Sequence, residues 1–154
     1  MSDVEPAVVT VEPVTTAVIR RVVAMDRLAE IFDGAFGTIA VTTIGQDAGI
    51  AGPAFALYHG MPTDTADLEV GFPTQRAVRA DGDVVASALP GGRVARAVHA
   101  GSFDGLGAAW GRLRGWIDDQ GLKAGDTFWE VYLTQPTPDM DPADLRTELN
   151  WPVE

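Results

Sequence analysis

The chain has 154 residues, 46% of them hydrophobic, with 22 acidic and 11 basic side chains and a formal net charge of −11. That length suits a single domain with a buried core, and the apolar fraction excludes a disordered chain. Phosphate recognition needs a concentrated basic surface, but Lys123 is the one lysine and the arginines stand singly or in pairs such as Arg20-Arg21, so no direct nucleic-acid partner is expected.

The segment Met1 to Pro6 is acidic and leads into no apolar core, so no signal peptide is expected. Arg20, Arg21 and Asp26 interrupt the best apolar run well short of the roughly 20 residues a membrane helix needs. A cytoplasmic protein without a membrane partner is the default. Val8 to Val23, rich in Val, Thr and Ile, predicts a strand, with Pro13 at a bend or edge position. Leu28, Ile31, Phe32, Ala35 and Ile39 recur at helical spacing and predict a helix over about 26–44, ended by Gly45 and Gly49. Ala54 to His59 and Asp67 to Phe72 read as strands. Residues 74–90 read as a connecting region, with Asp81-Gly82 as a hairpin turn between Val78 and Val84-Val85.

The pattern then returns. Arg93 to Ala100 predicts a strand, and a helix over about 102–120 follows, with Ser102 as its cap and Asp104 in its first turn. Leu106, Trp110, Leu113 and Ile117 form that helix's apolar stripe. Thr127 to Thr134 and Leu145 to Val153 are the closing strands. Short matches support a duplication: Tyr58 and Tyr132 end corresponding strands, Asp64-Thr65-Ala66-Asp67-Leu68 answers Asp141-Pro142-Ala143-Asp144-Leu145, and Phe72-Pro73 answers Trp151-Pro152. The expected fold is α+β: a tandem β-α-β-β repeat with pseudo-twofold symmetry, its antiparallel sheet carrying two helices on one face. Residues 1–154 would form one domain, with halves at about 8–73 and 91–153.

Most catalytic signatures are missing. The chain has no cysteine, His59 and His99 belong to no spaced ligand cluster, and neither Ser2, Ser87 nor Ser102 sits in a nucleophile elbow. No metal and no cofactor are expected. Gly107, Gly111 and Gly115 recur inside the second helix, where each costs about 1 kcal/mol against alanine. Tight core packing is the favoured explanation for them, ahead of a dimer contact.

Glu130 lies within Phe128-Trp129-Glu130-Val131-Tyr132-Leu133, a strand apolar on both faces. Alternation places Phe128, Glu130 and Tyr132 on one face. A carboxylate among aromatic rings suits a lipophilic cation, through ion pairing and cation–π attraction. The alternative is a solvated glutamate, or one paired with arginine. The duplicated position in the first half falls near Ala56.

The runs Leu89-Pro90-Gly91-Gly92-Arg93-Val94-Ala95, His99-Ala100-Gly101-Ser102-Phe103 and Trp129-Glu130-Val131-Tyr132-Leu133 resemble the GyrI-like small-molecule-binding domain. That domain is also the effector-binding half of bacterial multidrug-responsive transcription activators. The resemblance implies a ligand pocket between the halves, with Glu130 inside an aromatic cage beside Tyr132; Trp110, Phe103, Tyr58 and Phe36 are the candidate cage members. In the activators a DNA-binding segment is attached, whereas here the resemblance begins within about the first 20 residues. The expectation is thus a stand-alone binder of aromatic or cationic molecules, acting as a sensor or a drug sink, with no assigned catalytic residue. Two alternatives follow from the same resemblance. One is a hydrolase of reactive cyclopropane-containing natural products using Glu130 and Tyr132, and the other is a protein-interaction module such as a gyrase inhibitor.

Overall fold

The computed structural model describes residues 4–60, 63–102, 105–134 and 141–154. In chain order they form β1 (Val4–Val11), β2 (Val14–Ala24), α1 (Leu28–Gly45), β3 (Phe55–His59), β4 (Thr65–Pro73), β5 (Val85–Leu89), β6 (Gly92–Ala100), α2 (Leu106–Asp119), β7 (Thr127–Tyr132) and β8 (Arg146–Pro152), with 3-10 turns at Met25–Arg27 and Pro142–Asp144. The eight strands make one curled antiparallel sheet in the order β1-β6-β8-β7-β3-β4-β2-β5. None of the described helices is long and apolar enough to cross a membrane.

That order is symmetric about its middle. β3-β4-β2 on one side mirrors β7-β8-β6 on the other, and each trio carries its own helix, giving the tandem β-α-β-β arrangement. The ladders fix which residues correspond. Tyr58 lies opposite Leu68, four residues before Phe72, and Tyr132 lies opposite Thr147, four before Trp151. Ala17 pairs with Phe72 as Ala95 pairs with Trp151, and Ile19 pairs with Val70 as Ala97 pairs with Leu149. The tripeptides Ala35-Phe36-Gly37 and Ala109-Trp110-Gly111 occupy matching places in the helices. Leu68 therefore corresponds to Thr147. The Asp-Ala-Asp-Leu similarity, which would match Leu68 with Leu145, is two residues out of structural step.

The expected strand Val8–Val23 is two strands. Pro13, lacking an N–H, sits at the break, and the two pieces pair at distant places in the sheet: β1 with β6, β2 with β5. Both ladders share one register, from Val11↔Gly92 to Val14↔Leu89, so two bent strands cross as a continuous ribbon. Gly91 packs on Pro13 at this crossing; a Cβ there would stand 2.5 Å from Pro13 Cδ. The connecting region between the halves contains β5 after a tight turn in which the Asp81 and Val84 backbones exchange hydrogen bonds. Each half's leading strand thus covers the edge of the other half.

Two apolar clusters follow from strand alternation. On the helix side, Ile39 of α1 and Leu113 and Ile117 of α2 pack on Ala17, Leu68, Val70, Phe128, Leu149 and Trp151. Inside the curl, Val18, Phe55, Leu57, Leu89, Val94 and Trp129 form the second cluster. Of the stripe predicted for α1, Ala35 and Ile39 are buried, and the side chains of residues 28–33 lie outside the described residues.

Two local expectations are corrected. Gly105, not Ser102, precedes α2, with no side-chain cap; the Ser102 carbonyl accepts from Gly105 N–H at 3.2 Å and is 2.9 Å from His99 Nε2. Asp104 lies outside the described residues. Gly107, Gly111 and Gly115 are exposed, and a Cβ at any of them would meet no atom within 4 Å, so core packing does not explain them. The face that α2 buries is the one carrying Ala109, Leu113 and Ile117.

Candidate functional site

β3 and β7 are the central pair of the sheet, and Ala56 is hydrogen-bonded opposite Glu130 there. These two positions also correspond under the pseudo-twofold relation, so the axis passes between them. Alternation along β7 turns Phe128, Glu130 and Tyr132 toward the helices and Trp129 toward the inner cluster.

Glu130 is only 4% exposed. Its Oε1 accepts from Tyr132 Oη at 2.9 Å and from Tyr58 Oη at 3.4 Å, and its Oε2 accepts from Trp110 Nε1 at 3.2 Å. All three donors are neutral. Among the described residues no basic group forms an ion pair with this carboxylate. Burial pushes its pKa up from the ordinary 4.5, and the bonds from Tyr132, Trp110 and Tyr58 pull it part of the way back. The same burial, reinforced by the neighbouring carboxylate, raises both phenols, so they stay protonated and remain donors.

The donors come in pairs set by the repeat. Tyr58 corresponds to Tyr132, Phe36 to Trp110 and Phe72 to Trp151. Phe36 meets Phe72 edge-on at 5.6 Å and Tyr132 at 6.4 Å; Trp110 meets Trp151 at 5.5 Å and Phe128 at 4.8 Å; Tyr58 stacks on Phe128 at 5.3 Å. The result is a nearly symmetric aromatic enclosure holding a single charge. Arg114 lies over the Trp151 ring, 5.5 Å from its centroid.

Of the residues singled out from sequence, Glu130, Tyr132, Tyr58 and Trp110 form one hydrogen-bonded group, and Phe36 joins it through the Tyr132 ring. Phe103 lies outside the described residues. Three further rings close the enclosure: Phe128, Phe72 and Trp151. Phe128 shares the Glu130 face by alternation, while Phe72 and Trp151 carried a signal as marks of the duplication. His59 and His99 stand near the ends of β3 and β6; His59 is 2.5 Å from Glu69 on the opposite face of the sheet from Glu130.

The GyrI-like small molecule binding domain matches residues 4–154. The EcmrR C-terminal domain superposes with a TM-score of 0.84 at 20% identity, covering 98% of each chain. A hydrolase from Listeria innocua gives 0.71 at 13% identity, covering 100% of this chain and 94% of that one. The structure of SAV2435 bound to tetraphenylphosphonium gives 0.66 at 15% identity, covering 97% and 94%. At these identities the likeness is one of fold. No curated protein sequence matches. The match over nearly the entire length, on a chain whose repeat places one carboxylate on the axis between two halves, makes this protein a member of the GyrI-like small molecule binding domain family.

Proposed function

We propose that the domain binds a lipophilic organic cation at Glu130, as a sensor or sequestering protein for such compounds. The observation that carries this reading is a buried carboxylate whose partners are all neutral donors. An ionised group removed from water without an opposite charge is costly. A cation delivered against it supplies the missing charge, and the surrounding rings supply apolar contact and cation–π attraction. The structural neighbour bound to tetraphenylphosphonium supports this ligand class. Titration with tetraphenylphosphonium, and with triphenylphosphine oxide as a neutral relative, tests it. Glu130→Gln should weaken the cation at least tenfold and leave the neutral compound nearly unchanged. Equal effects on both would remove the charge-pairing reading.

A second reading uses the same group for hydrolysis. A carboxyl held above its ordinary pKa, with a phenol 2.9 Å away, can position water or accept its proton. Turnover of a strained cyclopropane-containing electrophile, lost in Glu130→Gln, would distinguish an enzyme from a binder.

A further inference from the structure

A cavity of about 260 Å³ lies on the flank of α2 that faces β1 and β6; Glu130 does not line it, but Leu149, paired with Glu130 across the β7–β8 ladder, forms part of its wall. Ala97, Ala109, Leu113, Leu149 and Trp116 supply its apolar walls. Glu5 and Arg112, both exposed, stand at its rim with one charge of each sign. β1 shifts register against β6 between Val4 and Ala7, which places Glu5-Pro6 over the opening.

In the first half the matching space is filled. Ile19 corresponds to Ala97, and Val84 follows directly from the Val18↔Val85 pairing at the place that Pro6 takes in the second half. Ile19, Val84 and Val78 are 6%, 0% and 5% exposed and belong to the helix-side core. The second half thus carries alanine where the first carries isoleucine, and less side chain fills the space. Its lining is mainly apolar, with His99 as the polar side chain of the β6 wall and the two charges confined to the rim.

We propose that this cavity is a second binding site, for a small uncharged apolar molecule about the size of a single aromatic ring. Size supports the class, since an apolar cavity of about 150 Å³ accommodates benzene in another protein. The rim opposes selection for net charge of either sign. The cavity does not include Glu130, although two elements border both places: on α2, Ala109 and Leu113 face the cavity while Trp110 reaches the carboxylate, and on β8, Leu149 lies opposite Glu130.

Toluene, with benzylamine and benzoate as charged relatives, is the probe set, read by methyl NMR. Toluene should give saturable shifts at the Ala97, Ala109 and Leu113 methyls, and the charged relatives at least tenfold weaker ones. Glu130→Gln should retain those shifts, which separates this site from the cation site. Ala97→Ile restores the first-half side chain and should abolish them; should it fail to fold, Ala109→Val narrows the cavity from the helix side and serves the same purpose. Shifts that never saturate, that persist in the filled variant, or that centre on Phe128 and Trp151 would overturn the proposal.

Discussion

Ala56 and Glu130 face each other across the β3–β7 ladder at positions that the internal repeat makes equivalent. One side of the axis carries a methyl group and the other a carboxylate, and the paired rings around them keep the symmetry that these two residues break. A small side chain opposite Glu130 leaves a neutral floor beside the charge.

The first prediction concerns proton linkage. Burial raises the folded-state pKa of Glu130. Its favourable contribution is therefore complete below the unfolded value near 4.5 and is lost as pH rises through the raised folded value. Unliganded Glu130→Gln should match or exceed the wild type in stability at pH 8, and this advantage should shrink toward pH 4. Paired melting curves across that range measure the difference directly.

Cation binding requires the ionised carboxylate, so it should release a proton wherever Glu130 is protonated in the free protein. Affinity for tetraphenylphosphonium should then rise with pH, by up to about tenfold per unit, and level off above the raised pKa. Calorimetry in buffers of different ionisation enthalpy reports the released proton. A flat affinity across the pH range in which Glu130 titrates in the free protein, followed by carboxyl NMR, would show that charge at Glu130 does not control binding.

Tyr132 and Tyr58 donate to the same oxygen at different distances, 2.9 and 3.4 Å. A hydrogen bond to a charged group is worth about 1.5–3 kcal/mol. At a pH where Glu130 is ionised, the loss for Tyr132→Phe in denaturant unfolding should fall toward that range, and Tyr58→Phe should lose less. Both losses should diminish in the Glu130→Gln background, because the charged acceptor is gone.

The glycines separate into two classes. Gly111→Ala and Gly115→Ala meet open space in an exposed helix interior, so each should stabilise by up to about 1 kcal/mol. That corresponds to a rise of about 2–4 °C in Tm for a chain of this size. Gly91→Ala drives a methyl into Pro13, and Gly71→Ala drives one into the Ala17 carbonyl, so both should destabilise clearly in the same assay.

The sequence carried much of this fold because the repeat was written in its rings. Tyr58 and Tyr132, and Phe72 and Trp151, stand where the ladders match. The split at Pro13 and the strand Val85–Leu89 were hidden for a tertiary reason: each pairs with a remote segment, and Val85-Ala86-Ser87-Ala88-Leu89, mostly exposed, lacks a strong alternating pattern. Ser102 looked like a cap because a serine before an apolar stripe is a common start signal, but its carbonyl is engaged three residues ahead of the helix that begins after Gly105. At the site, Glu130 stood out as a lone charge in a doubly apolar strand. Phe128 was legible only as a ring on the Glu130 face and Trp151 only as a mark of the duplication, since an aromatic ring in a buried strand carries no local mark that separates enclosure from core.

The exchange of β1 and β5 between the halves acts as a reciprocal clasp. Removing β1 would bare the long edge of β6, and removing β5 would bare that of β2, each a row of backbone donors and acceptors ready to recruit a strand. Either repeat alone would expose such an edge, despite containing its own helix and three strands. A truncation at either clasp should therefore associate by swapping strands between molecules.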